Sequence, residues 1–105
     1  MKKALVVYVT ATSRKEADNI ARALVAEKLA ACVSLVPQVT SRFWWRGKIE
    51  SAKEHLLVIK TLPRLYKPLE KHVRKLHSSS VPEILAMPVV RGSAAYLRWM
   101  KESLR

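Results

Sequence analysis

Apolar residues along this chain follow two rhythms, and the switches between them mark out its elements. Ala4 to Thr10 is a β-branched apolar run, the pattern of a strand buried on both faces inside a sheet. Thr12-Ser13-Arg14-Lys15-Glu16 then reads as a helix start, with Ser13 capping the free amides and Glu16 reaching back, the capping-box pattern. Ala17, Ile20, Ala21, Leu24 and Val25 recur at helical spacing, so this helix lays one stripe on the sheet and ends near Lys28. Leu29 to Val36 is a second apolar run, and Pro37 predicts a bend or bulge because it cannot donate to a ladder.

Strict alternation follows. Val39, Ser41, Phe43 and Trp45 face one side, Thr40, Arg42 and Trp44 the other, before Gly47 turns the chain into Lys48-Ile49-Glu50. The return strand runs on through His55-Leu56-Leu57-Val58-Ile59-Lys60-Thr61. This is a long hairpin with aromatic residues on both faces of its tip. Soluble monomers rarely keep such a patch exposed, so Phe43, Trp44 and Trp45 are expected at an interface with another subunit.

A turn at Pro63 leads to a second helix, starting near Tyr66 and reaching His77, with Pro68 tolerated in its first turn. Leu65, Leu69, Val73 and Leu76 form its inner face. Glu83 to Val90 reads as a fourth strand, with Pro88 at an edge or bulge. Ser93 caps a last helix whose Tyr96, Leu97, Met100 and Leu104 face inward. The order β-α-β-β-α-β plus a C-terminal helix defines an α+β chain with the ferredoxin-like split βαβ arrangement, one domain over residues 1–105.

Composition narrows the function. Half of the 105 residues are hydrophobic, enough for one core, and no apolar run approaches the roughly 20 residues that span a bilayer, so no membrane partner is expected. The apolar run after Lys2 and Lys3 is too brief for a secretion signal and reads as the first strand. A single cysteine, Cys32, excludes an internal disulfide and fits a reducing, cytoplasmic setting. Twenty Lys and Arg against eight Asp and Glu give a formal charge of +12. That excess predicts salt-sensitive attraction to polyanions, including nonspecific nucleic-acid binding and an acidic protein partner. A surface so positive repels free divalent cations, so a metal site must rely on soft ligands or neutral imidazole. So few acids leave no paired carboxylates, and no nucleophile-base pattern is visible, so catalysis is not expected.

Several segments carry a resemblance. Val7-Tyr8-Val9-Thr10-Ala11, Ala26-Glu27-Lys28-Leu29-Ala30-Ala31-Cys32-Val33 and Trp45-Arg46-Gly47-Lys48-Ile49-Glu50 match a known family in order. So do Ile59-Lys60-Thr61, Val81-Pro82-Glu83-Ile84 and Tyr96-Leu97-Arg98-Trp99. Over nearly its whole length the chain resembles the CutA divalent-cation-tolerance proteins. The resemblance implies a homotrimer whose long hairpins pair between subunits; Lys48, Glu50, Lys60 and Glu83 then read either as the polar groups around an intersubunit cleft or as solvated charges at strand ends.

Departures from the family pattern bear on metal. The family's His-Pro-Tyr-Glu-Val-Pro-Glu stands here as His77-Ser78-Ser79-Ser80-Val81-Pro82-Glu83, and the hairpin exit, usually acidic, is Ser51-Ala52-Lys53. The cysteine and paired histidines of copper-binding members fall on Val9 and Leu76, leaving His77. The resemblance therefore implies copper or another divalent cation weakly bound, with His77 as its remaining ligand. His77 also suits a helix C-terminus, where an imidazolium meets the carbonyl end of the dipole. Cys32 reads as a thiolate ligand or, since burial keeps thiols inert, as a small buried hydrophobe. His55 and His72 show no metal spacing and read as surface residues.

The leading reading is a non-catalytic trimeric binding scaffold linked to divalent-cation tolerance. Two alternatives stay open. One is a trimeric interaction or engineered assembly component, its loops reduced to Ser51-Ala52, Ser78-Ser79-Ser80 and Ser93-Ala94-Ala95. The other is an RNA-binding module, which needs several aromatics on its central strands, whereas the first and fourth strands offer only Tyr8.

Overall fold

The computed structural model describes residues 3–105. Its elements are β1 (Leu5–Ala11), α1 (Arg14–Ala26), β2 (Cys32–Trp45), β3 (Lys48–Thr61), a 3-10 turn (Pro63–Leu65), α2 (Tyr66–Leu76), β4 (Ile84–Pro88) and α3 (Ala94–Ser103). They form one four-stranded sheet in the order β2-β3-β1-β4, every neighbouring pair antiparallel. This is the α+β split βαβ arrangement that the hydrophobic rhythm predicts. No helix among the described residues is long and apolar enough to cross a membrane.

Local chemistry fixes the element ends. Ser13 caps α1 by accepting from Glu16 N–H at 3.0 Å, and Ser93 caps α3 by accepting from Tyr96 N–H at 3.3 Å. The C-terminus of α1 closes as a Schellman turn: Lys28 N–H donates to Val25 O at 3.0 Å and Leu29 N–H to Leu24 O at 2.9 Å. Lys28 holds the left-handed position (φ 57°) that glycine usually takes, and buried Leu24 and Leu29 supply the accompanying apolar contact. At the hairpin tip Trp45 pairs with Lys48, leaving Arg46 (φ 51°) and Gly47 (φ 77°) as the whole turn. Positive φ at both central positions is the type I′ signature, whose twist matches the strands.

The register between β2 and β3 slips once. Val36 pairs with Leu56 and Val39 with Glu54, so Pro37 and Gln38 together oppose His55 in a β-bulge, Gln38 at φ 56°. The bulge changes parity. Cys32, Ser34 and Val36 share a face of the sheet, and Val39, Ser41, Phe43 and Trp45 then continue that same face.

One face is the core. Val7, Val9, Leu57 and Ile59 are fully buried there against Ile20 and Leu24 of α1 and Leu69 and Val73 of α2. Thr61 is fully buried, and its hydroxyl donates to Leu29 O at 2.6 Å. Met100 and Leu104 anchor α3 to the body.

Some expected core positions fail. Val25 sits on the flank of the α1 stripe and is exposed. Leu76 is exposed as well, because the chain turns at the end of α2 and the ring of His77 goes inward instead. Tyr96 lies beside the inward line of Leu97, Met100 and Leu104, and is exposed against Trp99 with ring centroids 5.3 Å apart. The last strand is shorter than the apolar run Glu83 to Val90, since it ends at Pro88. His55 and His72, expected at the surface, are half-buried, and His55 Nδ1 is buried without a hydrogen-bond partner opposite the bulge.

Candidate functional site

The sheet face opposite the helices carries the expected site residues. Because side chains alternate, β1 presents Val6, Tyr8 and Thr10 there, β3 presents Leu56, Val58 and Lys60, and β4 presents Leu85 and Met87. Tyr8 is 36% exposed, Leu85 59% and Met87 38%. The same face continues along the hairpin to Phe43 and Trp45, both exposed, while Trp44 (72% exposed) and Ile49 pair on the reverse side of the tip. Arg46 stacks its guanidinium 5.7 Å from the Trp45 ring centroid. Tyr8 is the lone aromatic of β1 and β4 on this face, too few for a base-stacking platform.

A polar cluster sits where β2 and β3 begin and end. Cys32 pairs with Lys60, whose ammonium donates to Ser34 Oγ at 3.0 Å and to Cys32 Sγ at 3.7 Å. Tyr96 of α3 reaches the same sulfur. Burial first, then the neighbouring Cys32, pushes the phenol's pKa up. The groups bonded to the sulfur are an ammonium and hydroxyls, with no imidazole or carboxylate among them. Lys60 is thereby held at this end of the sheet by Ser34 and Cys32.

The four residues expected around one cleft do not meet within the chain. Lys48 and Lys60 stand at opposite ends of β3, on the order of 40 Å apart along the strand. Glu50 lies beside Lys48 at the exposed tip. Glu83 precedes β4, where partial burial and then Glu54 push its carboxyl above the usual range. Two carboxylates close together on so basic a chain would both be eased by a cation placed between them.

The structure places the His77 ring between two backbone groups. Its Nε2 lies 2.7 Å from Thr10 O, a pure acceptor, so Nε2 carries the proton. Its Nδ1 accepts from Ser79 N–H at 3.0 Å, so that lone pair is occupied too. The side chain is 4% exposed. Both nitrogens are spent on backbone, and no free electron pair faces a cation. Glu16 Oε2 lies 3.7 Å from Nδ1, but that nitrogen has no proton to share, and the oxygen is buried without a partner. The other oxygen of Glu16 accepts from Ser78 N–H at 3.0 Å. The capping box is thus half made: Ser13 caps, while Glu16 turns away to fasten the 78–80 loop. Sequence spacing gave no signal for this long-range bond. Among the described residues, no group of three or more His, Cys, Asp or Glu is placed to hold a metal ion.

Known proteins share this geometry. The sequence profile described as CutA1 divalent ion tolerance protein matches residues 5–103. The chain is 46% identical over 101 residues to the chloroplastic protein CutA of Arabidopsis thaliana, covering 96% of this chain and 56% of that protein. It is 43% identical over 98 residues to the divalent-cation tolerance protein CutA of Thermus thermophilus, covering 93% of this chain and 95% of that one. The chain therefore spans little more than half the length of its plant relatives. Its fold superposes on the solved divalent cation tolerance protein of Thermus thermophilus with a TM-score of 0.95 at 41% identity, covering 97% of this chain and 99% of that one. The Oryza sativa CutA1 crystal structure gives a TM-score of 0.94 at 42% identity, covering 97% and 94% of the two chains.

Proposed function

The chain belongs to the CutA1 divalent ion tolerance family, and on that footing we propose that it works as a non-catalytic, homotrimeric binding scaffold. One observation carries the proposal. A single sheet has α1 and α2 on one face, while the other, from Leu85 and Met87 across Tyr8 to Phe43 and Trp45, is open except at the end where Tyr96 of α3 reaches Cys32. An apolar face of that extent on a soluble chain marks a protein-protein contact. A closed assembly of identical chains covers it without leaving a surplus patch. The hairpin is long enough to reach a neighbouring sheet, and this brings the tip residues Lys48 and Glu50 of one subunit toward Lys60 and Glu83 of another. A cationic side chain arriving beside Glu54 and Glu83 would ease the repulsion between them.

In the proposal, copper or another divalent cation associates weakly and through groups other than the His77 ring, whose nitrogens are both engaged.

Light scattering in high salt tests the assembly, because screening removes charge-driven association. The expected mass is that of three chains. A single-chain mass at micromolar concentration sinks the proposal, since the open face would then be stable in water.

A further inference from the structure

Two hollows of the surface each gather four basic residues. α3 directs one helical stripe, Leu97, Arg98 and Lys101, toward the turn Leu62-Pro63-Arg64, and Lys3 closes the remaining side. The cleft between them has a volume of about 620 Å³. Its floor is apolar: Leu62 is buried and Leu97 half-buried, the latter packed 3.3 Å from where a Cβ on Gly92 would lie. Its rim is cationic: Lys3, Arg64, Arg98 and Lys101 all line it, and no carboxylate does. None of the four has an acidic partner among the described residues, where the one Lys or Arg ion pair is Arg22 with Asp18.

The other basic hollow makes the contrast. It lies along α2 between Lys67, Lys71, Arg74 and Lys75, with Glu70 among them and no apolar residue in its lining. One helix supplies all of it. That is a solvated charged face. The α3 cleft instead gathers cations from three separate segments over an apolar floor, at a cost in mutual repulsion that a bound anion relieves. Two guanidinium forks match pairs of phosphate oxygens, and two ammonium groups add point charge. A polyphosphate brings enough negative charge into one cleft to meet four cations. The floor leaves room for an apolar portion beside it.

We propose that the cleft between α3 and the Leu62–Arg64 turn binds a phosphorylated organic molecule. Its phosphates lie against Lys3, Arg64, Arg98 and Lys101, and its apolar part against Leu62, Pro63 and Leu97. The residues lining this site are not among those named on the open sheet face.

Titration calorimetry on the intact protein, with sodium tripolyphosphate and ATP as probes in about 0.15 M salt, tests it. The expected result is one saturable site per chain, with ATP binding tighter than tripolyphosphate because only ATP uses the floor. Arg64→Ala and Arg98→Ala each weaken both probes about tenfold, the worth of one charge-assisted contact pair. The paired change Lys71→Ala with Arg74→Ala on α2 leaves both affinities unchanged. Three results overturn the proposal: no saturation at that salt, an equal loss from the α2 pair, or ATP binding no tighter than tripolyphosphate. The second would show diffuse attraction to a charged surface, and the third an unused floor. All four substituted side chains are exposed, so thermal unfolding of each variant is expected to match the parent.

Discussion

On the face that α1 and α2 cover, Val7, Val9, Leu57 and Ile59 have no contact with solvent, whereas on the reverse of the same strands Tyr8, Leu85 and Met87 stay open. Both faces are apolar in composition and both obey the same alternation. What separates them is the origin of the covering layer. The chain lays two amphipathic helices on one face and only the Tyr96 end of α3 on the other, so a strand pattern apolar on both sides leaves most of its second face without a layer from the chain itself.

The largest expected effect tests that distinction head-on. Leu57→Ala on the covered face is expected to cost about 2–5 kcal/mol in denaturant unfolding, whatever the protein concentration. Leu85→Ala on the open face is expected to cost under about 0.5 kcal/mol in a dissociated chain. In an assembly that buries Leu85, its cost grows with protein concentration by mass action. Equal, concentration-independent costs at the two sites would break the comparison.

A middle-sized effect belongs to the loop that leads into β4. His77→Ala strands Thr10 O and the Ser79 amide, and is expected to lower stability by about 1–3 kcal/mol, read from chemical denaturation. The same variant is expected to leave copper uptake unchanged by equilibrium dialysis. A loss of copper in step with the ring would restore His77 as a ligand.

The smallest effect sits on the open face itself. Burial and Glu54 hold the Glu83 carboxyl's proton more tightly in the fold than in the unfolded chain. The native state therefore loses stability as pH rises through the carboxylate range, from about 4 upward. Glu83→Gln is expected to raise the Tm modestly at neutral pH, less in high salt, and not at all in acid. A lowered Tm at neutral pH would mean that the carboxylate already has a cationic partner.

Much of this was legible because the signals are local. Ser13 and Ser93 announce their caps, Pro37 its bulge, Gly47 its turn and Pro63 the delayed start of α2, each within a few residues of its effect. The matched segments likewise carry the family in the sequence alone. What escaped the sequence depends on distant partners. Nothing near Glu16 signals that it bonds Ser78, and nothing near Leu76 signals that the next ring takes the inward place. Tyr96 meets Cys32 across the fold for the same reason. The cationic cleft joins segments far apart in the chain, and composition registered its residues only as surplus charge.

The two prolines at the sheet's rims have a further consequence, for growth. β2 and β4 are the edges, and an edge offers its free N–H and C=O groups to any passing strand. Along β2 that seam is interrupted, since Pro37 has no N–H and Gln38 turns left-handed beside it. β4 spans only five residues and stops at Pro88. A second chain can zip onto the stretch before the bulge or the stretch after it, but not run unbroken along both. Strand addition is thereby confined to short, addressed segments, and the long arm can reach outward without templating an endless fibril.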